Sequence, residues 1–316
     1  MQEILKLIDK YITQKHSEKK WEAGKDWVQY AGPYFTSAEY VAAVKTLLGG
    51  WLVLNQEGIR FESRFPKRLG KKLGILTNSG SSANLLMMLA MTSKRGLNLP
   101  KGTKVITPIA GFPTTINPML QFGCVPVFLD IDIPTYNIKA DQIESAISPK
   151  TKAIMLAHTL GNPFNLEIVM NIAKKYNLWV IEDDCDSLGA EYDGKKTGTF
   201  GDLSTLSFYP AHHITTGEGG AVLINNPKLK KIAESFRDWG RDCWCEPGQD
   251  NTCGKRFEWT LGNLPCGYDH KYTYSHLGYN LKISDMQAAC GLAQLGKAQS
   301  FIQQRKNNFK FLKENK

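Results

Sequence analysis

Short apolar runs recur along the chain at 74–77, 104–107, 125–129, 153–156, 178–181, 203–208 and 221–224, with amphipathic stretches between them. Unbroken apolar runs of roughly four to eight residues suit strands buried on both faces, where every side chain meets another layer. The segments 82–95, 166–176 and 228–239 instead space their apolar residues along one helical face. Strands alternating with helices predict βαβ units and a mainly parallel sheet flanked by helices, an α/β fold. No internal repeat or low-complexity segment breaks the order.

Beyond Trp239 the pattern gives way, as far as about residue 274, to a run rich in Trp, Gly, Pro and Cys. Few structureless connections in compact domains are that long, so another source of order is expected there. Helical spacing returns from residue 283, and the chain stops in a charged helix with no second α/β unit behind it. The expected organisation is a helical segment over 1–29, a large cofactor-binding α/β domain over 30–274 that includes the cysteine-rich segment 240–274, and a helix over 275–316 leading into an incomplete small C-terminal domain.

Hydrophobic residues make up 42% of the 316, enough for a large folded core. The opening twenty residues mix Glu3, Asp9 and Glu18 with lysines and lack the apolar stretch of a signal peptide or membrane span, so a cytoplasmic protein with no membrane partner is expected. A net charge of +9 invites a nucleic-acid reading. The lysines are scattered and no nucleic-acid module accompanies them, so no such partner is expected; an anionic small molecule suits the charge equally. Seven cysteines (124, 185, 243, 245, 253, 266 and 290) in a chain of this kind argue for reduced thiols rather than a disulfide framework.

Three segments carry candidate chemistry. Thr77-Asn-Ser-Gly-Ser-Ser-Ala-Asn84 follows a strand and opens a helix, where backbone N–H groups and the helix dipole suit a phosphate. A plain turn and cap would have the same composition. Val180-Ile-Glu-Asp-Asp-Cys-Asp186 places acids at the end of a buried strand, where open α/β sheets bind their ligands. A solvated loop is the alternative, and a divalent metal is disfavoured by the absent histidine and the intervening Cys185. The third segment is Leu206-Ser-Phe-Tyr-Pro-Ala-His-His-Ile-Thr-Thr-Gly-Glu-Gly-Gly-Ala221.

Together with Thr107-Pro-Ile-Ala-Gly-Phe-Pro-Thr114, these segments resemble the DegT/DnrJ/EryC1/StrS sugar aminotransferases and dehydratases, which bind pyridoxal phosphate on the type I aspartate-aminotransferase fold. The resemblance runs from about residue 30 to the C-terminal end. It implies that Gly80, Ser81 and Ser207 hold the cofactor phosphate, that Phe112 stacks on the pyridine ring, and that Asp183 pairs with the ring nitrogen and keeps it protonated. Asp186 stands where many relatives carry Gln or His beside the ring. Asn280 matches an asparagine that reaches the phosphate of a partner subunit, which implies a homodimer.

One departure changes the expected chemistry. In the aminotransferases the fifth residue after the phosphate-binding serine is the lysine that forms a Schiff base; here that position is His212, and no lysine lies between Lys196 and Lys228. An imidazole forms no imine, so the cofactor is expected to stay pyridoxamine 5′-phosphate, with His212 moving protons. A lone histidine pair, His212 and His213, reads otherwise as polar loop residues. The same substitution marks the dehydratase branch of the family.

Cys185, Cys243, Cys245 and Cys253 form the pattern C-x57-C-x-C-x7-C. It resembles the 2Fe-2S ligand set of the CDP-4-keto-6-deoxyglucose 3-dehydratases. Residues two apart in an extended segment share a side, so Cys243 and Cys245 can ligate together while Trp244 faces away. Structural zinc usually takes wider cysteine pairs, and unligated thiols are the plain alternative. Cys124 and Cys290 are expected in the core, Cys266 in a loop. What the resemblance implies is removal of the carbon-3 hydroxyl from a nucleotide-bound 4-keto-6-deoxy sugar, CDP-linked by preference, with electrons from an NAD(P)H-dependent iron-sulfur flavoprotein. A TDP-sugar dehydratase or a cluster-free relative is the near alternative, and a non-catalytic scaffold holding structural zinc the distant one.

Overall fold

The computed structural model describes residues 1–18, 21–29, 31–243, 245 and 248–315. Helix α1 (Gln2–Glu18) leads the chain. Helix α2 (Ser37–Leu48) opens on a capping box, in which Thr36 N–H donates to Glu39 Oε2 at 2.8 Å. Helix α3 (Gln56–Leu69) has its first turn capped from far away: the Asp285 carboxylate accepts from the N–H groups of Asn55 at 2.9 Å and Gly58 at 2.8 Å. Strand β1 (Leu73–Thr77), helix α4 (Gly80–Thr92), strand β2 (Lys104–Pro108), helix α5 (Pro113–Gln121), strands β3 (Val125–Leu129) and β4 (Thr151–Ala157), helix α6 (Leu166–Tyr176) and strand β5 (Trp179–Asp183) follow. A small hairpin, β6 (Glu191–Tyr192) and β7 (Lys195–Lys196), precedes β8 (Leu203–Ser207), β9 (Gly220–Ile224), α7 (Pro227–Arg237) and the long α8 (Asp285–Glu314).

The expected mainly parallel sheet forms, in the order β1-β9-β8-β5-β4-β2-β3, and β9 alone runs against its neighbours. Alternation along each strand divides the core. Ile75, Ile181 and Val222 meet α4 and α7 on one face, whereas Leu76 and Leu223 face α3 and α8, and Val180 packs toward α6, on the other. Burial on both faces explains why the inner strands β4, β5 and β9 read as continuous apolar runs, while the edge strand β3 stays half-exposed.

The connection 208–219 joins β8 to the reversed β9. Its neck is tied by Phe208 N–H donating to Gly219 O at 2.8 Å and Thr216 N–H donating to Phe208 O at 3.0 Å. The segment 240–274 takes its order from side chains. His270 is buried, stacks on Trp259 with centroids 4.0 Å apart, and meets Asp242 O through Nδ1 at 2.7 Å. Arg256 forks onto Asp269 at 3.0 and 2.8 Å. No helix among the described residues is long and apolar enough to cross a membrane.

Candidate functional site

Parallel strands bring the second and third candidate segments to one edge. Asp183 ends β5 and points toward α4, because alternate residues share a face; Glu182 and Asp184 point the other way. One Asp183 oxygen, Oδ2, accepts from Thr115 Oγ1 at 2.7 Å and from Asn84 Nδ2 at 3.2 Å, while Oδ1 accepts from Cys185 N–H at 3.3 Å. Asn84 is itself fixed by Thr205 Oγ1, which donates to its Oδ1 at 2.7 Å. A carboxylate has about four acceptor sites, so this network orients Asp183 and leaves it one free for an N–H ligand.

Beneath it, Glu182 and Asp184 form a buried polar layer. Glu182 accepts from the N–H groups of Gly198 at 2.8 Å and Gly201 at 2.6 Å and pairs with His158 Nε2 at 3.0 Å. Full burial opposes its charge, yet His158 and those N–H groups hold it below the usual carboxylate range. Asp184 has the Ser187 hydroxyl as a partner, but burial pushes its carboxyl up to about 6.

The phosphate segment lies alongside. Ser79 caps α4 by accepting from Ser82 N–H at 3.0 Å, so the exposed Ser81 and the first-turn N–H groups face outward from Gly80. A Cβ on Gly80 would sit 2.5 Å from Ser207 Cβ, so only glycine lets the helix start and the end of β8 approach this closely. Ser81 Oγ donates to Thr114 Oγ1 at 3.1 Å, linking the helix start to the loop that carries the exposed Phe112.

His212 lies in the 208–219 connection, and its Nδ1 is 3.2 Å from Asp186 Oδ1. That contact first, then burial working against it, leaves Asp186 below its ordinary range. With Nδ1 engaged, Nε2 is the ring nitrogen left without a partner among the described residues. His213 is driven down to about 4 by burial and then by Arg305, and its Nδ1 has no hydrogen-bond partner among the described residues. Asn280 is exposed and bridges Asp238; the adjoining Leu281 accepts from Asn78 N–H at 2.8 Å, which places it against its own chain's phosphate segment.

Residues 34–315 match the DegT/DnrJ/EryC1/StrS aminotransferase family. The chain belongs to that family. It is 57% identical to the lipopolysaccharide biosynthesis protein RfbH of Salmonella typhimurium over 99% of this chain and 72% of that protein. To a dTDP-4-dehydro-2,6-dideoxy-D-glucose 3-dehydratase of Saccharopolyspora spinosa it is 52% identical, over 92% of this chain and 64% of that one. The structure of E. coli GDP-4-keto-6-deoxy-D-mannose-3-dehydratase with bound hydrated PLP superposes with a TM-score of 0.80 at 29% identity, covering 90% of this chain and 72% of that one. The fold is thus that of the family's pyridoxal-phosphate enzymes.

The supporting residues Asn84, Thr115 and Thr205 escape a reading of the sequence, although Asn84 gives one signal: a polar side chain on the otherwise apolar buried face of α4. Cys243, Cys245 and Cys253 gather within one segment, the first two with their thiols against each other, and Cys185 lies in another. Cys185 is half-buried in the turn beside Asp183, where burial and then that carboxylate push its thiol well up. Cys245 lies in the other segment and takes a hydrogen bond from Thr252 Oγ1 at 3.1 Å, and Cys253 Sγ is 3.4 Å from His270 Nε2. Burial, and then the neighbouring Cys245 thiol, raise Cys243; Cys245 is lowered, burial notwithstanding, by Thr252, by the Cys243 thiol and by neighbouring N–H groups. Among the described residues no three His, Cys, Asp or Glu side chains are placed to hold a metal ion. Trp244, expected to face away, lies outside the described residues. Cys124 is buried and Cys266 exposed, as expected, whereas Cys290 is only partly buried, with its thiol against Glu39 O at 3.7 Å.

Proposed function

We propose that this chain removes the carbon-3 hydroxyl of a nucleotide-linked 4-keto-6-deoxyhexose with the help of pyridoxamine 5′-phosphate, in the making of dideoxyhexoses for lipopolysaccharide. The observation that carries the reading is the His212–Asp186 pair, 3.2 Å apart, at the position where the aminotransferases of the family carry their lysine. The site fits the cofactor: an oriented Asp183 with one acceptor site free, and a helix start that admits no Cβ at Gly80. When bound, the cofactor supplies an amine for the 4-keto group and a ring that accepts electrons.

Each residue then has a task. Gly80, Ser81 and Ser207 hold the phosphate, Phe112 covers a ring face, and Asp183 keeps the ring nitrogen protonated. Asp186 fixes the ring of His212 through Nδ1. Nε2 takes the proton that must leave before the hydroxyl departs, and as imidazolium it returns one to the departing oxygen. In the finer reading the sugar carries CDP, Asn280 serves a partner subunit in a homodimer, and an iron-sulfur flavoprotein feeds electrons through a 2Fe-2S cluster on Cys185, Cys243, Cys245 and Cys253. The cysteine spacing and the approach of the Cys243 and Cys245 thiols support that last part. A dTDP-linked substrate is the second reading, favoured by the 52% identical relative.

The test offers the purified chain, loaded with pyridoxamine 5′-phosphate, the CDP-, dTDP- and GDP-linked 4-keto-6-deoxy sugars in turn. Loss of the carbon-3 hydroxyl from one of them, with a preference for CDP, is expected. Aminotransfer alone would overturn the dehydratase reading. Iron and zinc content of the same preparation decides the cluster, since a zinc-bearing inactive protein is the scaffold reading.

A further inference from the structure

Leu160 combines two unfavourable conditions in one residue. Its backbone is left-handed, with φ of 54°. L-residues with a branched side chain rarely adopt that region. Its side chain is also 80% exposed. Strain of this kind collects where a ligand is met.

The place of Leu160 fits such a role. Ala157 at the end of β4 is in register with Asp183 at the end of β5, so Leu160 stands just past the carboxyl edge that presents the site. The turn packs on the proposed base's partner: a Cβ on Gly161, itself at φ +82°, would lie 2.7 Å from Asp186 O, so only glycine lets the two segments approach this closely. Other apolar side chains are exposed beyond neighbouring strands of the same edge, Ile109 and Phe112 after β2 and Tyr209 after β8. Ligand sites commonly join such apolar walls to a few fixed polar groups.

We propose that Leu160 is a specificity-determining contact for the one apolar substituent of a 6-deoxyhexose, the carbon-6 methyl. This rests on the dehydratase reading above. A leucine at that point favours a methyl group and leaves a hydroxymethyl group with an unpartnered hydroxyl. The same turn packs on Asp186, so it ties sugar recognition to the orientation of His212.

The experiment compares two probes, CDP-4-keto-6-deoxyglucose and the same 4-keto sugar nucleotide retaining its 6-hydroxyl. The parent is expected to prefer the first by roughly 10²-fold in kcat/KM, the scale on which an apolar pocket rejects an added hydroxyl. Leu160→Asn tolerates the left-handed backbone and replaces the apolar surface with an amide of similar size. It is expected to lose most of that preference through KM, with cofactor absorption and thermal midpoint like the parent's showing that it is folded. Leu160→Met keeps an apolar side chain and is expected to keep the preference. A preference in Leu160→Asn within about twofold of the parent's overturns the role of Leu160 and leaves the dehydratase reading standing. A parent that turns over neither probe, in the CDP-linked or the dTDP- and GDP-linked form, overturns that reading, and this assignment with it.

Discussion

Asp183 and His270 are both buried polar side chains with several partners, but the partners reach them differently. Those of Asp183 come from α4 and α5, 99 and 68 residues away in sequence, and are brought together by the sheet. His270 meets Asp242 and Cys253, 28 and 17 residues away, within one long segment that lacks regular strands and long helices among its described residues. The carboxyl edge is therefore as rigid as the whole fold, whereas the cysteine-bearing segment can open without costing the sheet its register. Chemistry that needs fixed distances belongs at the first, and a part that rearranges when it binds something belongs at the second.

The sharpest way to separate the two regions is to alter the edge alone. His212→Asn is expected to slow hydroxyl elimination by about 10²–10⁴-fold while pyridoxamine phosphate stays bound and hydrogen exchange over 248–274 stays as in the parent. Asp186→Asn, which leaves the base but frees its ring, is expected to cost less. A parent rate in the His212 variant would remove the base from the mechanism.

A second test uses pH. His213 titrates near 4 in the folded chain against an ordinary 6.5, so the unfolded chain binds the extra proton between those values. Its contribution to stability is full above pH 6.5, is lost as pH falls toward 4, and amounts to something on the order of 3 kcal/mol. Denaturant midpoints of His213→Gln should fall less steeply over that window than the parent's. Parallel curves would show that His213 charges freely and that the edge is more open than the structure has it.

The smallest effect is expected from the segment. His270→Ala removes the stacking on Trp259 and the bond to Asp242, and should cost about 1–3 kcal/mol locally. Faster hydrogen exchange confined to 248–274, with cofactor content unchanged, would support the contrast. Joint loss of cofactor and global stability would break it.

The same contrast decides what was legible in the sequence. All seven predicted runs are strands of the main sheet; burial on both faces writes the apolar pattern of the inner strands β4, β5 and β9, whereas the edge strand β3 is half-exposed and β8 buries Ser204 and Thr205. Helix α6 falls where its spacing places it, at Leu166–Tyr176. The β6–β7 hairpin was missed although Asp193 and Gly194, both at positive φ, form a turn signal; two-residue strands leave no apolar run to notice. Helix α3 was missed too, with Pro66 inside its last turn and its cap supplied by Asp285 far along the chain. At the site, the residues that belong to local motifs could be named in advance. Their supports could not, because Thr115 and Thr205 become neighbours of Asp183 and Asn84 only when helices and strands pack.

The neck of the 208–219 connection has a consequence for how such enzymes diversify. Ser207 pairs with Gly220 across the strands, and Phe208 and Gly219 close the loop directly above them. A loop sealed in this way behaves as an exchangeable cassette: its tip can be rewritten while the two strands under it keep their register. A lineage can thus trade an amine for an imidazole at one codon without rebuilding the anion cradle. A combinatorial library confined to 209–218 would sample reaction types on a scaffold that stays constant.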